Sequence, residues 1–109
     1  MQYKLTVSDI RQGASGGSTV VKYLAELVTF SGDGRVTVRV LNTIPVTATA
    51  CLLEAACEFV RLGAQDVLRE FQLDGELILS DVLIHPVDCH PLRFRSATAA
   101  AIRELLVSQ

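Results

Sequence analysis

Between Arg35 and Gly63 the hydrophobic period changes once, from two residues to about 3.6. In RVTVRVLN, Val36, Val38 and Val40 alternate with Thr37, Arg39 and Leu41, which predicts a strand. In the segment IPVTATACLLEAACEFVRLG, Thr47, Glu54, Glu58 and Arg61 fall on one stripe and nearly everything else is apolar, which predicts a long helix. Pro45 suits its first turn, where a missing N–H costs nothing, and Gly63 supplies the stop. Its many alanines let it approach a sheet or another subunit closely. A strand running into so apolar a helix calls for a layered fold in which helix covers sheet.

The flanking segments extend this pattern. Tyr3, Leu5 and Val7 alternate with Lys4, Thr6 and Ser8, as in a half-buried strand. After the glycine-rich stretch RQGASGGSTVVKYL, Val20, Leu24, Leu27 and Val28 recur at helical spacing, flanked by Tyr23 and Phe30. This predicts a first helix, capped by Ser18 or Thr19 and ended by Gly32, with a turn at Asp33-Gly34. Two strands joined through that helix should lie parallel with a right-handed crossover. VLREFQL and ELILSDVLI flank Asp74-Gly75, the residues of a type I′ hairpin. In the tail, HPVDCHPLRFRSATAAAIRELLVSQ, two prolines mark a loop, LRFR reads as a short strand and ATAAAIRELL as a short helix. The expected fold is an α+β sandwich of order β-α-β-α-β-β, with two helices packed on a four-stranded mixed sheet. A single domain over 1–109 is expected, with its core in 2–84 and a C-terminal loop and extension in 85–109.

With 109 residues, half of them hydrophobic, the chain can bury a core without disulfide staples. Ten basic residues face twelve acidic ones, a formal charge of −2. Such a balance excludes a broad electrostatic grip on nucleic acid, unless basic residues segregate to one face. Cys51, Cys57 and Cys89 are an odd number without a CxxC pair, which argues against a secreted disulfide framework. Neither a signal-peptide h-region nor an apolar membrane span is legible, so a soluble cytoplasmic or nuclear protein with no membrane partner is expected.

The motifs argue against an enzyme. The glycine-rich stretch lacks the GK[ST] of a P-loop, and Gly13, Gly16 and Gly17 do not fit GxGxxG. A capped, flexible turn is its first reading. An anion cradle formed by Ser15, Gly16, Gly17, Ser18 and Thr19 is the second. His85, Asp88, Cys89 and His90 are metal-ligand types in no zinc spacing, beside Pro86 and Pro91, and a surface loop is expected rather than a metal site. Cys51 and Cys57, six apart on a helix, lie on different faces. Glu54 and Glu58 belong to a solvated stripe. No catalytic set, cofactor or metal is expected.

The stretches GSTVVKYLAELV and RVTVRVLNTIPVTATACLLEAACEFV, in their expected element order, resemble the Alba superfamily of small DNA- and RNA-binding proteins. The resemblance implies a dimer that grips nucleic acid at the start of the first helix and in the loop before the second. Carried over, these sites fall at Ser18 and Thr19, and at Asn42 and Thr43. None is basic, and Lys22 and Arg39 are the nearest cations. Arg93 and Arg95, flanking Phe94, could add charge beside a stacking ring. The resulting expectation is a non-enzymatic module contacting RNA or DNA as a homodimer or heterodimer. The alternative is a protein-assembly subunit of the same fold, followed by a small enzyme or phosphate-ligand binder built on the glycine-rich turn.

Overall fold

A computed structural model describes residues 2–12, 18–44, 50–84 and 90–108. Strands β1 (Gln2–Gln12) and β2 (Ser18–Ser31) form a long antiparallel pair, in one-to-one register from Gln2 opposite Val28 to Gln12 opposite Ser18. The helix expected over this stretch does not form, and Ser18 and Thr19 open a strand instead of capping a helix. Val21, Tyr23, Ala25, Leu27 and Thr29 point inward and are buried, alternating with Lys22, Leu24, Glu26, Val28 and Phe30. Three of those five outward residues are apolar, which fills in the two-residue period and leaves a spurious helical spacing. The β-branched and aromatic content, with a partner strand on each side, decides for sheet.

Next come β3 (Val36–Val40), β4 (Thr43–Ile44), α1 (Ala50–Glu70), β5 (Leu73–Ser80), β6 (Val82–Leu83) and α2 (Pro91–Val107). The sheet order is β1-β2-β5-β3, with β4 and β6 forming a small parallel pair. β2 runs antiparallel to both β1 and β5, while β3 and β5 are parallel. The expected layout of two helices on a four-stranded mixed sheet therefore holds. The order of elements differs, because α2 takes the place given to a helix at 18–31. β1 and β3 lie at opposite edges, so no crossover joins them as a pair. The parallel neighbours are β3 and β5, connected across α1.

Both helices cover the same face. Val7, Val21, Tyr23, Leu27, Val36, Leu77 and Leu79 meet Val60, Ala64, Val67 and Leu68 of α1 and Phe94, Ala97 and Ile102 of α2 in one core. Tyr23 stacks on Phe94 with ring centroids 6.3 Å apart, and its hydroxyl shares a buried hydrogen bond of 2.5 Å with Thr98.

Two glycines read as chain breaks have other work. α1 runs through Gly63, because a Cβ there would lie 2.3 Å from the Arg95 carbonyl oxygen. The missing side chain is what lets the helices touch. Gly75 lies inside β5 beneath Leu68, whose Cδ1 a Cβ would meet at 2.5 Å. The expected hairpin at Asp74-Gly75 is therefore not formed, and VLREFQL is mostly the end of α1. LRFR is not a strand but the first turns of α2, which Pro91 opens. The helix expected in the tail is present and begins earlier. Pro45 and Thr47 lie outside the described residues.

Asp74 closes a different turn. Its Oδ1 accepts the backbone N–H groups of Asp33, Gly34 and Arg35 at 2.9, 3.1 and 2.9 Å, clasping the β2–β3 turn to β5. Gly34 takes the left-handed φ of 98° that this turn requires. The Arg35 N–H first, then those of Asp33 and Gly34, hold the Asp74 carboxyl below the usual range.

Candidate functional site

Among the described residues, no helix covers the second face of the sheet. Register places its side chains in rows across the strands, because directly paired residues share a face. Thr6, Leu24, Ser80 and Leu41 form one row. Lys4, Glu26, Ile78 and Arg39 form the next, and Gln2, Val28, Glu76 and Thr37 the one after. Beyond the first row, Ser8 pairs with Lys22. Leu24 is 40% exposed, Phe30 50% and Leu41 59%, although core positions on the same strands are closed to water.

Charge divides between the faces. On the helix side, Arg93 reaches Asp9 at 3.0 Å, Arg95 grips Asp66 through two nitrogens at 2.8 and 2.9 Å, and Arg103 meets Glu70 at 3.0 Å. Arg61 pairs with Glu58 one turn earlier on α1. The Arg95 hydrogen bonds hold the Asp66 carboxyl below its usual range, and Arg61 does the same for Glu58. Lys4, Lys22 and Arg39, all exposed on the open face, make no ion pair among the described residues.

The open face bends where β3 and β5 pass into β4 and β6. Asn42 and Asp81 lock this bend. The Asn42 amide donates to Asp81 Oδ1 at 2.7 Å, and the Asp81 N–H donates to Asn42 Oδ1 at 3.1 Å. Asp81 holds a left-handed φ of 51°, which Asp tolerates better than most residues. Thr43 and Val82 turn inward and are buried, leaving Ile44 and Leu83 on the outer side. Ile44, 49% exposed, and Leu83 then line a mostly apolar cleft of about 340 Å³ together with Leu24, Lys22, Tyr23 and Asp81. A second depression, of about 310 Å³, lies on the other side of Leu24 and is lined by Lys4, Thr6, Glu26 and Ser80.

Of the residues singled out from sequence, Lys22 and Arg39 share the open face. Ser15, Gly16 and Gly17 lie outside the described residues. Ser18 and Thr19 stand at the start of β2, opposite Gln12 and Arg11. Asn42 spends its side chain on Asp81, and Thr43 is buried. Arg93 and Arg95 project from α2, each paired with a carboxylate. Phe94 between them is closed to water, so no stacking ring is exposed there. Sequence reading missed Lys4, Leu24, Ile44 and Leu83 as members of one surface. The available signal was the apolar residues on both sides of the β2 alternation.

Other reactive groups divide between core and surface. Burial drives the Tyr23 hydroxyl far above its ordinary value, and burial also pushes the Cys57 thiol up. Cys51 is exposed on α1, Cys89 lies outside the described residues and His90 stands at the N-cap of α2 without a side-chain cap bond. Among the described residues, no three His, Cys, Asp or Glu side chains gather as a metal site. No helix among them is long and apolar enough to cross a membrane.

No protein-family model matches the chain, and no curated protein sequence matches it. The fold itself has a solved counterpart, the protein ttk003000868 from Thermus thermophilus. It superposes with a TM-score of 0.63 over 94% of this chain at 13% sequence identity. That likeness establishes a shared two-layer α+β fold. The present chain spans about 15% of the Thermus protein's length, so there the fold is one part of a much larger chain.

Proposed function

We propose that the chain is a non-enzymatic binding module that contacts nucleic acid, RNA or DNA, through the open face of its sheet, inside the cell. The partition of charge carries the reading. Four arginines are paired on the helix side, with Arg69 of α1 the exception, whereas Lys4, Lys22 and Arg39 make no ion pair among the described residues and lie on a face that no described helix covers. A near-neutral chain thus keeps three cations available on one face, beside Glu26, Glu76 and Asp81, for individual phosphate contacts. Glu26 and Glu76 lie on the same face, so the grip is a few contacts rather than a basic plate. Three phosphate contacts to a single strand would give a slope of about −2 in log K against log salt.

The test is fluorescence anisotropy with labelled RNA and DNA across a salt series, comparing the parent protein with Lys22→Ala and Arg39→Ala. Weakening in both variants with a shallower salt slope supports the reading. Absence of binding at low salt refutes it.

A second reading, an assembly subunit, is favoured by the β1 edge. β1 is an edge strand of eleven residues, paired one-to-one with β2 without a bulge, and among the described residues no strand pairs with its other edge. A second copy joined there would extend the open face across a dimer, the state expected of the nucleic-acid module as well. Light scattering decides between monomer and dimer, and Thr6→Pro in β1 should return a dimer of this kind to monomer.

A further inference from the structure

We infer that the open face takes a single-stranded nucleic acid, with an unpaired base seated in the cleft lined by Leu24, Ile44 and Leu83 and its phosphate on Lys22. The inference rests on the nucleic-acid reading above and adds to it the form of the ligand and its seat.

The surface chemistry favours a single strand. A duplex presents phosphates outward and keeps its bases stacked inside. Bound to this face, it would engage Lys4, Lys22 and Arg39 but leave Leu24, Leu41 and Ile44 with little to bury against. A single strand presents phosphates and apolar base faces together, and proteins that hold it combine cations with aromatic stacking surfaces, whose apolar role aliphatic Leu24, Ile44 and Leu83 take here. Here the two depressions share Leu24, and each has a lysine in its lining: Lys22 in one, Lys4 in the other. Glu26, the partner of Lys4, lies four positions from Lys22 along β2, which is about 13 Å of strand. The lysines can therefore hold different phosphates of one strand.

The cleft also orients what enters it. Ile44, Leu83 and Leu24 give apolar walls, and the Asp81 carboxylate in the same lining repels phosphate. The base, not the backbone, suits the interior, and the phosphate suits Lys22. Asn42 holds Asp81 in place, and Asp81 Oδ1 accepts its amide, so this part of the lining is fixed before ligand arrives.

The test measures anisotropy of one labelled oligoribonucleotide, single-stranded and annealed to its complement, with the parent protein, Lys22→Ala, Leu24→Ser and Ile44→Ser. Circular dichroism and the urea midpoint confirm that each variant is folded. Tighter binding of the single strand, with a loss of about tenfold on Leu24→Ser or Ile44→Ser, is the expected result. Equal or tighter binding of the duplex, sensitive to Lys22→Ala but indifferent to Leu24→Ser and Ile44→Ser, overturns the inference while leaving nucleic-acid binding intact. No binding of either form at low salt overturns both.

Discussion

The two faces of one sheet obey different rules. On the helix side, Val21, Tyr23, Leu27, Leu77 and Leu79 are closed to water, and Arg61 of α1 and all three arginines of α2 are paired with carboxylates. On the open side, alternate residues of the same strands leave Leu24, Phe30 and Leu41 in solvent, and Lys4, Lys22 and Arg39 without ion pairs among the described residues. Strand alternation makes the faces nearly independent, since neighbouring side chains point opposite ways. Stability is concentrated on one face, leaving the other free to contact a partner. Substitutions on the first should change unfolding, and substitutions on the second should change binding.

The largest effect is expected where the helices touch. Gly63→Val would drive a branched side chain into the Arg95 backbone, which a Cβ alone meets at 2.3 Å. Backbone has no rotamer to retreat to, so a loss of about 3 kcal/mol or more is expected in urea unfolding. Tyr23→Phe comes next. It keeps the ring on Phe94 but leaves the fully buried Thr98 hydroxyl without its partner, at about 2 kcal/mol. Tyr23→Phe combined with Thr98→Val should recover part of that loss, because both polar partners are then gone. If the double variant loses as much as the sum of the singles, the hydrogen bond is not what sets the cost.

The same geometry explains what the sequence disclosed. The Val36–Val40 strand and the Ala-rich helix were legible because each shows one clean period with one buried face. β2 was not, because Leu24, Val28 and Phe30 put apolar residues on the solvent side and hid the alternation of Val21, Tyr23, Ala25 and Leu27. The feature that obscured the strand is the feature that marks the candidate site. Gly63 and Gly75 misled for another reason. Glycine permits turns, but it also permits close approach, and only the tertiary neighbour reveals which applies. For the site, Lys22 and Arg39 were recognisable as cations near the glycine-rich turn and the valine strand. That they share a face with Lys4 depends on the β1-β2-β5-β3 order, which local sequence does not encode.

Acid should reveal the β2–β3 clasp. Asp74 is held below the usual carboxylate range by three backbone N–H groups, and Asp66 by Arg95. A carboxyl with a depressed folded-state value stabilises the fold above its unfolded value and loses that contribution as pH falls through the folded value. Unfolding midpoints should therefore drop on the acid side of the ordinary carboxylate range. Asp74→Asn should make that drop shallower while lowering the midpoint at neutral pH. An unchanged acid slope in Asp74→Asn would show that Asp66 and the other paired carboxylates carry the dependence.

The smallest effect on stability separates the faces most sharply. Arg93 and Asp9 tie α2 to β1 with side chains 30% and 23% exposed, enough shielding for Arg93→Ala to lose about 1 kcal/mol. Lys22 has no ion-pair partner among the described residues and projects from the open face, so Lys22→Ala should move stability by less than about 0.5 kcal/mol. Binding should reverse the order. Lys22→Ala removes a cation available to phosphate, whereas Arg93→Ala removes one already committed to Asp9. Measured side by side on the same RNA, the pair forms a cross: one variant loses stability and keeps binding, the other keeps stability and loses binding. If Arg93→Ala weakens binding as much as Lys22→Ala while both stay folded, the contact surface extends to the helix side, and the open sheet face is not the site by itself.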